Sequence, residues 1–161
     1  MSIMFNSVLN NMSDEIKTTA EKETHNPLPA GCEVLRLKEC SDERGALTIA
    51  EQTDLPMNIE RAFWIYSVAA GKTRGGHAHR TCSELLVAVA GTFKVEVTDG
   101  VNCQTVVLDT PNKALYIPPY AWCRLFDFSL GSVCLCLASE KYDATGYIND
   151  FDEYKKEVHA S

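Results

Sequence analysis

The sequence of 161 residues lacks the patterns that mark several classes of protein. No apolar run approaches the roughly 18 residues of a membrane span, so contact with a membrane is not expected. No basic region followed by an apolar stretch marks a secretory signal at the N-terminus. Lysine and arginine number 15 against 22 acidic residues, and the formal charge of −7 argues against nucleic-acid binding, which needs a basic face.

The seven cysteines form no CxxC pair and show no zinc-finger spacing. Their odd number, without a secretory signal, favours reduced thiols and a cytoplasmic location. Cys134 and Cys136 alternate with apolar residues in "SVCLCLAS". This pattern is typical of small buried side chains in a strand rather than of a redox pair.

Composition divides the chain into two parts. Residues 1–30 are polar, contain Pro27 and Pro29, and have few apolar positions. They predict a flexible N-terminal extension, partly helical at most. Residues 31–161 then form one folded domain, which is long enough to bury a sizeable core.

The folded part is predicted to be all-β. Short runs rich in β-branched, aromatic and aliphatic residues follow one another from residue 32 to 139, separated by turn residues. "GTFKVEVTDG" alternates apolar and polar positions, and Asp99-Gly100 is a hairpin signal. "ELLVAVA" is apolar on both faces after its first residue, which suits a strand covered on both sides. Many short strands predict a sandwich or small barrel, jelly roll included.

The period changes at the end of the chain. In "NDFDEYKKEV", residues 149–158, Asp150 can cap a helix and Glu153 follows three residues later, as in a capping box. Lys155 and Lys156 suit the C-terminal end of a helix. A short C-terminal helix is therefore predicted.

The stretch "RGGHAHRTCSE", residues 74–84, holds two of only four histidines. His77 and His79 are two residues apart, so on a strand both rings point to the same face. Glu84 has the opposite parity and joins that face only if the chain turns between them. From these residues alone, a metal site, an acid/base pair and a surface position all stay open.

The spacing of Gly71, His77, His79, Glu84 and Gly91 resembles the first motif of the cupin superfamily, small β-barrels of jelly-roll type. In metal-binding cupins the two histidines and the glutamate of this motif bind a divalent metal. A later motif supplies one more histidine, and in the matching stretch "YIPPYAWCRL" that position is Cys123. The resemblance therefore implies His77, His79, Glu84 and Cys123 as alternative metal ligands.

A narrower resemblance covers residues 32–155. "DERGALTIAE", "RAFWIYSV", "RGGHAHRTCSELLVAVAGTFKVEVTDG", "ALYIPPYAW", "FDFSLGSVCLCLASEKYD" and "GYINDFDEY" together are similar to the nucleotide-sugar 3,4-ketoisomerases. The resemblance implies a cupin-type barrel and a homodimer without metal or other cofactor. The implied substrate is a dTDP-linked 4-keto-6-deoxy sugar, used in deoxysugar and polysaccharide biosynthesis.

The same resemblance implies roles for individual residues. His77 and His79 are the acid/base groups that move the carbonyl from C4 to C3 through an enediol. The positions in or near the substrate pocket are matched by Arg74, Tyr66 and Trp122. Glu84 is assigned to substrate binding with them.

The chain departs from the family at Glu84 (family Gln), Cys123 (family His), Gly146 (family Asp) and Asn149 (family Arg). These departures leave two alternatives. One is a metal-dependent cupin, such as a dioxygenase or a metal-assisted isomerase. The other is a non-catalytic sugar-binding cupin.

Overall fold

The computed structural model describes residues 27–159. The predicted flexible extension, residues 1–30, lies outside the described residues except for its last four. Within those four, Leu28 packs against the core and Pro29 is fully buried. The backbone N–H of Ala30 donates to Asp99 Oδ2 at 2.8 Å. Residues 28–30 therefore pack against the folded domain.

The described chain forms strands followed by a single helix. The strands are β1 Glu33–Arg36, β2 Lys38–Asp42, β3 Gly45–Ile49, β4 Arg61–Tyr66, β5 Arg74–His79, β6 Glu84–Ala90, β7 Phe93–Thr98, β8 Cys103–Leu108, β9 Lys113–Ile117, β10 Trp122–Phe126, β11 Val133–Ala138 and β12 Tyr147–Ile148. The helix α1 spans Phe151–His159, and 3₁₀ turns cover Gln52–Asp54 and Ala144–Gly146.

Ten of these strands make two antiparallel sheets, in the orders β1-β9-β6-β11-β4 and β12-β5-β10-β7-β8, and β2 pairs with β3 as a separate hairpin. The main core combines inward residues of both sheets, for example Leu86 and Leu115 from the first with Phe93 and Leu125 from the second. This is the double-sheet architecture predicted from the sequence, and it confirms the all-β jelly-roll fold.

Local sequence patterns account for the central strands. In β7, Phe93, Val95 and Val97 are buried and the intervening residues are partly exposed, as the alternation predicts. In β6, Leu86 faces the main core, whereas Leu85 and Val87 belong to a second apolar cluster with Leu55 and Met57. The residues that precede β4 therefore cover the outer face of β6, which explains why this strand is apolar on both sides.

The hairpin predicted at Asp99-Gly100 joins β7 to β8 through a four-residue loop, because Thr98 pairs with Cys103. Asp99 Oδ1 accepts from the backbone N–H groups of Val101 and Asn102 at 2.9 and 2.7 Å. Gly100 takes a φ of 91°, which a side chain would disfavour. The Asp-Gly pair thus fixes the turn through the side chain of one residue and the backbone freedom of the other.

Helix α1 begins where the capping pattern predicts. Asp150 Oδ1 accepts from the backbone N–H of Glu153 at 2.8 Å, which satisfies one of the free donors of the first turn. The helix packs on the outer face of the second sheet through Tyr154, which is fully buried with Ala78 and Ile148. None of the residues 27–159 belongs to a helix long and apolar enough to cross a membrane.

Candidate active site

The two histidines of β5 point into the space between the sheets. His79 is buried, with 6% of its surface exposed, and His77 is half-buried. Their ring centroids are 5.0 Å apart at an interplanar angle of 80°. The prediction from their spacing, that both rings share one strand face, is consistent with this placement.

The glycines before the histidines shape the approach to the site. Gly75 and Gly76 have φ values of 69° and 77°, in the left-handed region that favours glycine. A Cβ on Gly75 would lie 2.9 Å from the carbonyl oxygen of Cys123 on β10. The register between β5 and β10 shifts at this point, between Cys123 and Arg124. The Gly-Gly pair therefore lets β5 bend against β10 directly before His77.

Glu84 joins the histidines from the opposite sheet. It is the first residue of β6, and 5% of its surface is exposed. The turn that the sequence required between His79 and Glu84 is the loop of residues 80–83, which carries the chain from one sheet to the other. Glu84 Oε1 lies 3.3 Å from His79 Nε2. The pair is close, but the geometry is not that of a hydrogen bond: His79 Nε2 has no hydrogen-bond partner among residues 27–159.

A cavity of about 80 Å³ opens beside this group. Its polar wall comes from His77, Glu84 and Tyr147, and Cys123 and Cys136 contribute sulfur. Its apolar wall is lined by Phe63, Ile65, Leu86 and Leu125, with Gly75 at one side. A lining of mainly apolar side chains with a few polar ones is typical of a ligand-binding site.

The surroundings shift the acid-base properties of the lining groups. Burial lowers the pKa of His77, partly opposed by the charge of Glu84, while His79 adds to the lowering. Burial also raises the pKa of Cys123 well above its usual range, and Glu84 contributes to that rise. At neutral pH His77 is therefore an uncharged imidazole that can accept a proton, and Cys123 is a thiol rather than a thiolate.

Tyr147 completes the wall on the side of the C-terminal segment. Its ring centroid lies 4.9 Å from that of His77 and 4.3 Å from that of His79. Burial raises the pKa of its phenol, and the positive charge of Arg61 opposes that rise. Neither Tyr147 nor Arg61 was predicted from the sequence to be a site residue. For Arg61 the sequence did contain a signal. The alternation of β4 places it on the same strand face as the cavity residues Phe63 and Ile65.

The other sequence-predicted residues lie farther from the cavity. Arg74 is exposed at the start of β5, next to Gly75. Tyr66 ends β4 with 65% of its surface exposed, on the strand face opposite to Ile65. Trp122 packs on helix α1, with ring centroids 5.0 Å from Phe151 and 5.4 Å from Tyr154. The structure thus brings together His77, His79, Glu84 and Cys123, and it leaves Tyr66 and Trp122 on outer faces.

Three of the side chains offer a possible metal-binding set. One ligand atom each from His77, His79 and Glu84 lies within 4.8 Å of the others. Two imidazoles and a carboxylate are ligands that zinc, iron or manganese accept. The buried Nε2 of His79, with its hydrogen-bonding capacity unused within residues 27–159, also fits such a group. Cys123 shares the cavity but does not belong to this set.

Comparison with known proteins gives one family and a consistent set of relatives. Residues 30–159 match the family model described as FdtA: WxcM-like, C-terminal. A TDP-4-oxo-6-deoxy-alpha-D-glucose-3,4-oxoisomerase from Aneurinibacillus thermoaerophilus is 36% identical over 126 residues, which are 78% of this chain and 91% of that protein.

Solved structures agree with the sequence relatives. QdtA, a sugar 3,4-ketoisomerase from Thermoanaerobacterium thermosaccharolyticum crystallised with TDP, superposes with a TM-score of 0.80 at 34% identity, covering 83% of this chain and 98% of that one. The WlaRB TDP-quinovose 3,4-ketoisomerase from Campylobacter jejuni gives a TM-score of 0.75 at 33% identity, covering 79% and 98% of the two chains.

Proposed function

The chain belongs to the family described as FdtA: WxcM-like, C-terminal, and from this membership we propose that it is a nucleotide-sugar 3,4-ketoisomerase. The substrate is a dTDP-linked 4-keto-6-deoxyhexose, whose carbonyl moves from C4 to C3. The observation that carries the proposal is the pair of imidazoles with centroids 5.0 Å apart, of which His77 lines the cavity. Relatives above 30% identity that act as TDP-sugar 3,4-oxo- or ketoisomerases support it.

The reaction needs two proton transfers, and the site offers two imidazoles for them. A base removes the proton from C3, the electron pair forms the C3–C4 double bond of an enediolate, and C4 then receives a proton. The proton of the C3 hydroxyl is lost and the C4 oxygen gains one, so the atoms of the sugar are unchanged. Imidazole can take and release protons near neutral pH. The lowered pKa of His77 suits it to the first step, because it keeps the ring unprotonated.

The remaining predicted residues enter the proposal according to their positions. Glu84 lines the cavity with its carboxylate 3.3 Å from His79 Nε2, and it is proposed to take part in substrate binding beside the histidines. Arg74, exposed beside the cavity residue Gly75, is proposed to bind the diphosphate. Tyr66 and Trp122 keep a proposed role in substrate binding, although neither lines the cavity in the single chain.

The proposal includes a homodimer, a cytoplasmic location and a role in deoxysugar and polysaccharide biosynthesis. The dimer is supported by the edge of β4, which pairs only with β11 among residues 27–159 and where Trp64 and Tyr66 are 59% and 65% exposed. The location and pathway follow from the proposed nucleotide-sugar substrate. The proposal contains no cofactor.

The deciding experiment is incubation of the pure protein with dTDP-4-keto-6-deoxyglucose in deuterated water, followed by NMR of the sugar. We expect a 3-keto product with deuterium at C4, together with exchange at C3 of the remaining substrate. A sugar that neither isomerises nor exchanges at C3 would leave the chain as a non-catalytic sugar-binding cupin.

A metal-dependent cupin is the second candidate, favoured by the three ligand atoms within 4.8 Å. A metal-bound imidazole nitrogen cannot also transfer a proton, so the two roles exclude each other at that nitrogen. We expect protein purified without chelator to hold far less than one equivalent of transition metal, and EDTA to leave isomerase activity intact. Stoichiometric metal, with activity lost to chelator and restored by the metal, would establish the second candidate instead.

A further inference from the structure

Tyr147 contacts both histidine rings, and the proposed reaction gives it no task. Its ring meets His77 edge-on at an interplanar angle of 69° and His79 at 58°. Contacts of this kind between aromatic rings are favourable and depend on geometry. The ring of Tyr147 therefore restricts the rotation of both imidazoles about their side-chain torsions.

The backbone of Tyr147 is fixed directly opposite the histidines. Strand β12 pairs with β5 so that Tyr147 faces His79 and Ile148 faces Ala78. Arg80, the residue after His79, donates from Nη1 to the carbonyl oxygen of Tyr147 at 2.9 Å. The same guanidinium binds Glu157 of helix α1 at 2.6 Å. The residue that follows the second histidine thus ties the tyrosine strand and the helix to β5.

Arg61 lines a small recess together with Tyr147 and His79. The Arg61 guanidinium lies 5.0 Å from the centre of the Phe63 ring and 5.6 Å from that of Tyr142, so two aromatic rings hold it in place. Its Nε atom is buried and has no hydrogen-bond partner within the described part of the chain. Tyr147 therefore has neighbours on β4 as well as on β5, which further limits the movement of its ring.

We propose that Tyr147 is a positioning residue that holds the rings of His77 and His79 in their working orientation. The inference rests on the proposed function, because orientation of an imidazole matters only where the ring transfers protons. The rate of proton transfer falls steeply when the proton donor and acceptor are misaligned. Tyr147 acts through its ring rather than through its hydroxyl.

Kinetics of two Tyr147 variants separate ring from hydroxyl. Tyr147→Leu removes the ring and is expected to lower kcat by about 10- to 100-fold while KM changes little, because misoriented groups slow the chemical step. Tyr147→Phe keeps the ring and is expected to retain most of kcat. Tyr116→Leu is the matched control, because Tyr116 is a half-buried strand tyrosine outside the cavity. An equal loss in the Phe and Leu variants, or an unchanged kcat in both, would overturn the proposal.

NMR of the ligand-free protein tests the orientation without any turnover. We expect one sharp set of ring signals for each of His77 and His79 in wild type, Tyr147→Phe and Tyr116→Leu, and broadened or doubled signals in Tyr147→Leu. Sharp single signals in Tyr147→Leu would reject the positioning role. If the ring signals behave as expected while the wild type shows no isomerase activity, only the proposed function fails. If Tyr147→Leu loses the folded amide spectrum, Tyr147→Met replaces it.

Discussion

Two chemically identical side chains on one strand have different surroundings in this site. His79 lies 3.3 Å from the Glu84 carboxylate, whereas His77 lines the cavity and has its pKa lowered by burial. Differences of this kind assign acid and base roles to like residues. Strand β5 carries both rings, and Glu84 on the opposite sheet gives them different surroundings.

Replacement of either histidine tests the acid/base assignment. His77→Asn and His79→Asn are each expected to lower turnover by roughly 10²-fold or more, because general acid-base catalysis contributes at least that much. Steady-state kinetics measures the loss, and calorimetry with TDP checks that nucleotide binding survives. Turnover like wild type in both folded variants would contradict the assignment.

The pH dependence follows from the position of His77. Burial lowers its pKa, so the ring stays neutral at pH 7 and activity is expected to fall only below the usual histidine range. Glu84 opposes this shift, and His79, the other ionisable group acting on the ring, reinforces it. Removal of the Glu84 charge in Glu84→Gln should therefore move the acid limb of kcat/KM to lower pH. A limb that stays in place or moves to higher pH would count against His77 as the base.

Side-chain parity explains which site residues could be recognised in advance. Trp122 and Cys123 are neighbours on β10, so only one of them can face the interior. Cys123 is 3% exposed in the main core and Trp122 packs outside it. The spacing of His77 and His79 identified their shared face by the same rule. Nothing in the sequence determines which of two neighbours faces inward until the partner strand is known.

At the scale of elements, the C-terminal helix acts as a cover for the sheet that carries the histidines. Tyr154 is fully buried, and its hydroxyl donates to the carbonyl oxygens of Thr98 and Tyr120 at 2.8 and 3.0 Å. Tyr120 in turn donates from its backbone N–H to the carbonyl of His79 at 2.7 Å. One side chain therefore connects α1 to the end of β7 and to the loop that supports β5.

Loss of Tyr154 is expected to destabilise the fold. Tyr154→Ala leaves a cavity and should lower the free energy of unfolding by about 3–5 kcal/mol. Tyr154→Phe removes only the two hydrogen bonds and should cost about 1–2 kcal/mol. Urea denaturation monitored by circular dichroism gives both values.

Leu130→Ala serves as the control for this series, because Leu130 is fully exposed. Its effect should stay within about 0.5 kcal/mol of wild type. A Tyr154→Ala variant as stable as this control would show that the helix does not stabilise the barrel.

Elements whose pattern depends on residues close in sequence could be predicted, but the pairing between distant strands could not. The alternation in β7, the Asp99 turn and the Asp150 cap each depend on residues close in sequence. The contact between Arg80 and Tyr147 joins residues 67 positions apart, and the strand β12 has only two residues. Such a short strand has no periodicity of its own, and it forms because β5 offers it a free edge.

At the scale of the whole molecule, the sheet β1-β9-β6-β11-β4 ends in an exposed strand. β4 pairs with β11 on one side, and its outward residues Trp64 and Tyr66 are mostly exposed. Uncovered edges with large apolar side chains are commonly occupied by a second chain. This surface is where we place the proposed dimer contact.

Light scattering after size exclusion is expected to give twice the mass of the chain at micromolar concentration. Trp64→Glu introduces a charge into the proposed contact and should shift the protein to the monomer mass. Val101→Glu, at an exposed position of the β7–β8 loop, should leave the dimer intact. A monomer in the wild type, or a Trp64→Glu variant that stays dimeric, would argue against this interface.

The antiparallel pairing of β12 with β5 also has a consequence for biosynthesis on the ribosome. A nascent chain presents His77 and His79 long before Tyr147 emerges from the exit tunnel, because the pairing spans most of the jelly roll. During that interval β5 has a vacant edge, and Arg80 has neither the Tyr147 carbonyl nor Glu157 to bind. The order of translation therefore leaves the histidine strand open to other pairing partners, and the proton-transfer site is completed only after the segment that closes it has been made.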